Sequence, residues 1–229
     1  MTEHPPSDDA LREAVARQRR LWARQAPRYD REMRFFERVL FGDARAWACS
    51  QAAGQVLEVA VGTGRNLPFY PHDIQLTGVD LSPEMLAIAG ARAGELGRVI
   101  ELTEADAHAL PFPDGSFDTV VCTFSLCNIP DERRAIAEMH RVLRPGGLLI
   151  LADHVASTSL PLRTVQRLVE KLTFHLSGDH QTRRPHPHVA AAGFSIEHAE
   201  RYKKGIVERL TARKPVAPVA SAPDKDPAS

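Results

Sequence analysis

The sequence predicts an α/β protein with a doubly wound, seven-stranded, mainly parallel sheet and an antiparallel C-terminal hairpin. Three observations predict it. Short β-branched runs alternate with amphipathic stretches between Gln55 and Leu176. A glycine turn, Gly62-Thr63-Gly64, closes the first of these runs. After Gly193 the alternation stops, and two extended runs meet across Lys203–Gly205, the pattern of a hairpin at a sheet edge.

The elements follow in order. Residues 1–10 are polar and proline-containing, and residues 215–229 are rich in Pro, Ala, Ser and Asp. Neither end carries enough apolar surface to offset the entropy of ordering, so both are expected to be disordered. Residues 11–50 are expected to form helices that act as a lid, and residues 51–214 the sheet domain. Within the lid, Leu11–Leu40 reads as one or two helices with a break at Pro27, because proline removes a helix donor and clashes with the preceding turn. Gln55–Val59 is the first strand and Gln75–Asp80 the second. Ser82 then caps a helix that opens on Pro83 and carries Met85, Leu86, Ile88 and Ala89. Val99–Leu102 is a weaker third strand and Phe117–Thr123 a strongly apolar fourth. Pro130–Leu143 has helical spacing, ended by Gly146-Gly147, and Leu148–Ala152 is the fifth strand. Pro161–Leu176 places Val165, Leu168, Val169 and Leu172 at helical spacing, and Phe194–Tyr202 and Ile206–Ala212 complete the set.

Bulk properties narrow the function. The 229 residues carry zero formal net charge, with 43% hydrophobic and 25% charged residues. This balance argues against a nucleic-acid binder, which usually shows a basic excess. No apolar run reaches the length that spans a bilayer, and the polar N-terminus is unlike a secretory signal. Three widely spaced cysteines, Cys49, Cys122 and Cys127, argue against a disulfide scaffold or a CxxC metal site, and Cys122 and Cys127 read as small core residues. A cytoplasmic setting is expected. Between Leu11 and Arg38 stand nine arginines and four acidic residues. A solvated face is the first reading; attraction to anionic lipid headgroups, and so peripheral membrane contact, is the functional one.

The chemistry concentrates at Val56–Asn66. A glycine turn at a strand-to-helix junction lets a ligand approach the main chain, and a following helix would offer free N–H groups to a carboxylate or phosphate. A dinucleotide site needs a third glycine where Leu67 stands, which argues against a nicotinamide dehydrogenase. Glu58 at the strand end fits a ligand that carries an amine. Asp80 ends the second strand, where a carboxylate accepts hydrogen bonds from ribose hydroxyls. Leu81 and Met85 can flank an adenine, and Asp106, just past the third strand, can accept from its amino group.

Four blocks, VLEVAVGTGRN, GVDLSPEMLAIA, ADAHALPFPDGSFDTVV and HRVLRPGGLLIL, taken in this order, resemble the class I S-adenosylmethionine (SAM)-dependent methyltransferase family, with its Rossmann-like fold. LPFY, VCTFSLCNIP and LADHV are similar to a narrower group of bacterial phosphatidylethanolamine N-methyltransferases and animal thiol methyltransferases. Ubiquinone and menaquinone C-methyltransferases share the core blocks. The resemblance implies SAM as cofactor, with Glu58, Ala60, Gly62 and Thr123 around its methionine end, Asp80 and Leu81 at the ribose, Met85, Asp106 and Ala107 at the adenine, and Tyr29 above it. It implies a small-molecule or lipid-like acceptor: an amine, a thiol or a quinol-type carbon or oxygen. The family usually has glycine at Ala60; alanine costs little there provided its φ is negative. Tyr29, His154, Asp179 and His180 are the acceptor-side and catalytic candidates. No metal is expected, because His180, His186 and His188 lack a ligand spacing. A SAM-binding sensor or partner subunit without catalysis is the alternative from another class.

Overall fold

A computed structural model describes the backbone of residues 6–177 and 183–216; the side chains of Phe35, Phe36 and residues 172–177 also lie outside the description. The expected disorder of residues 1–5 and of 217–229 therefore falls outside the described residues, as do Asp179 and His180.

Seven strands form one sheet in the order β3-β2-β1-β4-β5-β7-β6. The strands are β1 (Gln55–Val59), β2 (Gln75–Asp80), β3 (Glu101–Glu104), β4 (Phe117–Thr123), β5 (Leu143–His154), β6 (Ser195–Tyr202) and β7 (Val207–Arg213). The first five are parallel. β7 inserts antiparallel against β5, and β6 pairs antiparallel with β7 at the sheet edge. The expected mainly parallel sheet with a C-terminal hairpin is what forms. β1 is flanked by β2 and β4, so the chain reverses its direction of travel across the sheet there. This is the switch point where α/β sheets open a crevice at the carboxyl ends of the strands.

Period-two alternation divides the core. Leu57, Val59, Val120 and Cys122 pack on one face with Ile136 and Met139 of helix α4 (Glu132–Val142). Val56, Val121 and Ile150 pack on the other with Ala44 and Ala48 of helix α2 (Ala44–Cys49). Helix α3 (Pro83–Glu95) follows β2, with the Ser82 hydroxyl accepting from Met85 N and Pro83 in its first turn, as expected. The helices α5 (Leu160–Ser177) and α6 (Pro185–Ala191) follow β5. No helix among the described residues is long and apolar enough to cross a membrane.

Several boundaries differ from expectation. Helix α1 runs unbroken from Asp8 to Phe36, through Pro27, and continues as a π turn over Glu37–Phe41. It begins inside the stretch expected to be disordered, because the Ser7 side chain caps it and Asp8 and Asp9 oppose its dipole. The helix survives Pro27 because both halves are anchored: Gln18 donates to Asn128 O at 2.8 Å on one side, and Asp30 is bonded to the glycine turn on the other. No α-helix follows the glycine turn. The chain makes a 3₁₀ turn at Leu67–Phe69 instead. Pro71 disfavours helical backbone at Tyr70, which is extended, with φ −73° and ψ 145°. The third strand sits at Glu101–Glu104 rather than Val99–Leu102. Helix α4 ends at Val142, and Leu143 already belongs to β5, so Gly146-Gly147 lie inside the strand instead of closing the helix. A register irregularity falls there, between Phe117↔Leu143 and Thr119↔Leu148. Gly147 is required, since a Cβ would stand 2.9 Å from Arg144 O and from the Leu143 side chain.

Candidate active site

A cleft enclosing about 740 Å³, partly open to solvent, lies over the carboxyl ends of β1, β2 and β4. Its floor is the turn after β1. Gly64, with φ +75°, has no room for a side chain: a Cβ would meet Leu67 at 2.8 Å and the Ala89 backbone at 3.2 Å. Gly62 takes φ +56° and Ala60 takes φ +58°. The condition under which alanine costs little, a negative φ, is not met at Ala60, and an L-residue there stores on the order of 1 kcal/mol of strain.

Asp80 is the fixed point of the turn. It is 7% exposed; its Oδ2 accepts from Gly62 N at 2.8 Å and its Oδ1 from Ser82 N at 2.9 Å. Burial raises its carboxyl above the usual range, and the two amides partly offset that. Each oxygen keeps a second lone pair for a ligand hydroxyl. Leu81 and Met85 follow along the same wall.

Asp106 and Ala107 form the next wall, and a residue absent from the sequence expectations holds them. His108 Nδ1 lies 2.5 Å from Asp106 Oδ1, and His108 Nε2 accepts from Asp131 N at 3.1 Å. The second bond leaves Nε2 bare, so the imidazole proton sits on Nδ1 and points at Asp106. Burial opposes ionisation of Asp106, but the hydrogen bonds from the His108 ring and amide outweigh it and hold the carboxyl below the usual range. Both bonds from His108 fall on Oδ1, and Asp106 lines the cleft.

The roof is α1. Val15, Gln18, Trp22 and Tyr29 line the cleft from above, with Trp22 and Tyr29 edge to face at 6.0 Å. Desolvation raises the Tyr29 phenol, which therefore stays protonated. Phe124, Ser125, Asn128 and Ile129 complete the lining. Phe124 is left-handed, with φ +52°, held by stacking on Phe41 at 3.9 Å and by its N–H on Ala152 O at 2.7 Å.

Of the ten expected cofactor residues, Tyr29, Ala60, Gly62, Asp80, Leu81, Met85, Asp106 and Ala107 thus meet in one cleft. Glu58 and Thr123 do not line it. They sit behind the turn: Asn66 Nδ2 donates to Glu58 Oε1 at 2.8 Å and to Thr123 Oγ1 at 2.9 Å. Arg45 Nη1 donates to Asn66 Oδ1 and to Thr123 Oγ1, and its Nε to Glu37 Oε1 at 2.7 Å. Burial pushes the Glu58 carboxyl up to about 7. His154 also lies outside the cleft lining, beside buried Asp153, with Nδ1 3.4 Å from Asp153 Oδ1. Cys127, Asp153 and His154 bring one ligand-type atom each within 4.8 Å of one another. Asp153 accepts there from Leu126 N and His154 N, which pins the loop after β4.

Residues 57–151, the strands and turns that build this cleft, match the family described as Methyltransferase domain. The ubiquinone/menaquinone biosynthesis C-methyltransferase of Geobacter sp. (strain M21) is 32% identical over 160 residues, which cover 65% of this chain and 68% of that protein. The chain belongs to the methyltransferase family. A phosphatidylethanolamine N-methyltransferase of Cereibacter sphaeroides is 44% identical over 120 residues, which cover 52% of this chain and only 59% of that relative's length. A solved SAM-dependent methyltransferase from Thermotoga maritima shares the fold, with TM-score 0.65 and 24% identity over 85% of this chain and 99% of that one. The donor set of the cleft fits SAM. Asp80 offers carboxylate lone pairs for a ribose diol, Asp106 a free oxygen for an exocyclic amine, and the left-handed turn exposes its backbone where a methionine tail would lie.

The sequence reading missed His108, Arg45, Asn66 and, on α1, Val15, Gln18 and Trp22. His108 had a local signal, two residues after Asp106. Arg45 had none, because its partners lie 8 to 78 positions away along the chain.

Proposed function

We propose that this protein transfers the methyl group of SAM to a small or lipid-like acceptor. The observation that carries the reading is the convergence of Asp80, Asp106 and the Ala60–Gly62 turn on one cleft that is roofed by α1 and extends past Phe124. SAM supplies an activated methyl on a sulfonium whose leaving group is neutral and needs no acid. The chain's task is to hold the donor, align an acceptor in line with it and exclude water. In this reading Asp80 and Leu81 hold the ribose, Met85, Asp106 and Ala107 the adenine, and Ala60 and Gly62 the methionine end. Glu58 and Thr123 support the turn from behind. Trp22, Tyr29, Phe124 and Asn128 border the acceptor.

The aromatic rings of Trp22, Tyr29 and Phe124 on this side suit an acceptor with an apolar body. Relatives are named for action on phosphatidylethanolamine and on ubiquinone or menaquinone precursors, which fits a lipid-like acceptor. The test is formation of S-adenosylhomocysteine from SAM with phospholipid amines, quinols, thiols and small amines in turn. Turnover with one class identifies it. Tight SAM binding with no turnover on any of them would replace this reading with a SAM sensor.

A further inference from the structure

Three apolar residues of helix α5 (Leu160–Ser177) face outward, and its buried position is polar. Gln166 is 7% exposed, accepts from Ser157 N at 2.7 Å and donates to Val155 O at 3.1 Å, and Arg163 Nε donates to Ser157 O at 3.0 Å. Leu160, Val165 and Leu168 are 71%, 54% and 59% exposed. At about 100° per residue, Val165 and Leu168 stand about 60° apart and Leu168 stands about 160° from Gln166. Of the four apolar residues at helical spacing in this stretch, Val165 and Leu168 thus face solvent and Val169 is half-buried. Exposed Arg167 and Lys171 run along one border of the exposed apolar residues, beside Leu160.

The helix leaves the carboxyl end of β5, the sheet edge over which the cleft opens. Ser157, just before it, is bonded to Lys204 O of the β6–β7 turn at 2.7 Å. α1, the roof of the cleft at the same edge, exposes Arg20, Arg24, Arg28 and Arg31.

We propose that α5 seats this protein on an anionic lipid surface. Leu160, Val165 and Leu168 enter the boundary of the acyl region, and Arg167 and Lys171 reach the headgroup phosphates. A helix with an apolar face bordered by cations is the form that lies in such an interface, its long cationic side chains reaching back to the polar layer. A second copy of the chain is a poorer occupant. A twofold contact sets the same patch against itself, bringing two cationic borders together. The proposal extends the proposed activity, placing the mouth of the cleft next to a lipid-borne acceptor, but docking is measured without turnover.

The experiment is co-sedimentation of the full chain with vesicles of phosphatidylcholine alone and of phosphatidylcholine mixed with phosphatidylglycerol, at low and high salt. The wild type pellets with the anionic vesicles at low salt and is released by high salt. V165D/L168D binds at least about ten-fold more weakly with an unchanged melting temperature. R167E/K171E loses the preference for the anionic vesicles. L168W gives a direct second readout, a blue shift of tryptophan emission on adding anionic vesicles. Wild type that stays in the supernatant, a V165D/L168D variant that binds like wild type, or an L168W emission that does not move would overturn the proposal. A concentration-dependent dimer lost in V165D/L168D, without vesicle binding, would assign the face to self-association. SAM turnover on a water-soluble acceptor is followed in parallel. Its absence counts against the methyltransferase reading alone, and its presence without vesicle binding counts against docking alone.

Discussion

Asp30, on the roof helix α1, accepts a 2.6 Å hydrogen bond from the Thr63 hydroxyl in the middle of the glycine turn. The same carboxylate pairs with Arg92 of α3 and lies 3.3 Å from Arg65 Nη1, while Glu37 binds both Arg65 and Arg45. The roof is therefore latched to the loop on which the cofactor would lie. Burial opposes ionisation of Asp30, and Thr63 and Arg92 outweigh it, holding the carboxyl below the usual range. The latch is thus charged throughout the neutral range.

D30A is expected to weaken SAM binding about 3- to 10-fold, mainly through faster dissociation. Stopped-flow exchange of SAM checks the rate. A D30A/T63A double-mutant cycle should give a coupling of roughly 0.5–2 kcal/mol; zero coupling would show that the roof closes without this contact.

A60G is expected to stabilise the fold by about 1 kcal/mol, because glycine adopts φ near +58° without strain. For a chain of this size that is a rise of about 2–4 °C in melting temperature. A fall would mean that the Ala60 methyl makes a packing contact worth more than its strain.

D80A is expected to lower SAM affinity about 30- to 100-fold, since it removes charged hydrogen bonds to the ligand and the acceptor that shapes Gly62 and Ser82. Titration calorimetry reads it. Unchanged affinity would remove Asp80 from the cofactor site.

H108F is expected to free Asp106 from its imidazole partner. Affinity for SAM should fall by less than in D106A, and discrimination against an analogue lacking the adenine amino group should narrow in both. Full discrimination in D106A would place the adenine elsewhere.

Glu58 sets a pH dependence. Its carboxyl stands at about 7 in the fold against an ordinary 4.5. Below the lower value it is protonated in both folded and unfolded chains. As pH rises through this window the unfolded chain releases its proton and the folded chain keeps it, so stability falls, by at most about 3 kcal/mol. Above the window the loss is constant. E58Q keeps an acceptor for Asn66 and should flatten this slope in urea unfolding measured from about pH 4 to 8. An unchanged slope would assign it to other groups.

Much of the sheet was legible because its signals are local. β-branched runs, the Ser82-Pro83 cap and the spacing of Asp80 after the glycine turn all act over a few residues. Boundaries shifted where proline and glycine signals compete with packing. Pro27 did not end α1, because Gln18 and Asp30 anchor both halves. Gly146-Gly147 did not close α4, because Leu143 already pairs with Phe117. Eight of the residues expected at the cofactor line one cleft, because they cluster near strand ends. Glu58 and Thr123 fall outside the cleft lining, where they bond Asn66 and, for Thr123, Arg45.

The sequence by itself determined the order of strands and helices, the glycine turn and the residue types that can meet an adenosyl group, since these follow from periodicity and short-range spacing. Only the tertiary structure decided that Ala60 is left-handed, that His108 orients Asp106, that Asp30 latches the roof to Thr63 and that Val165 and Leu168 of α5 face out. Each depends on residues far apart in the chain, or on which side of a helix its neighbours occupy. One-dimensional pattern carries neither, because amphipathic spacing gives a helix an apolar side without saying what that side will meet.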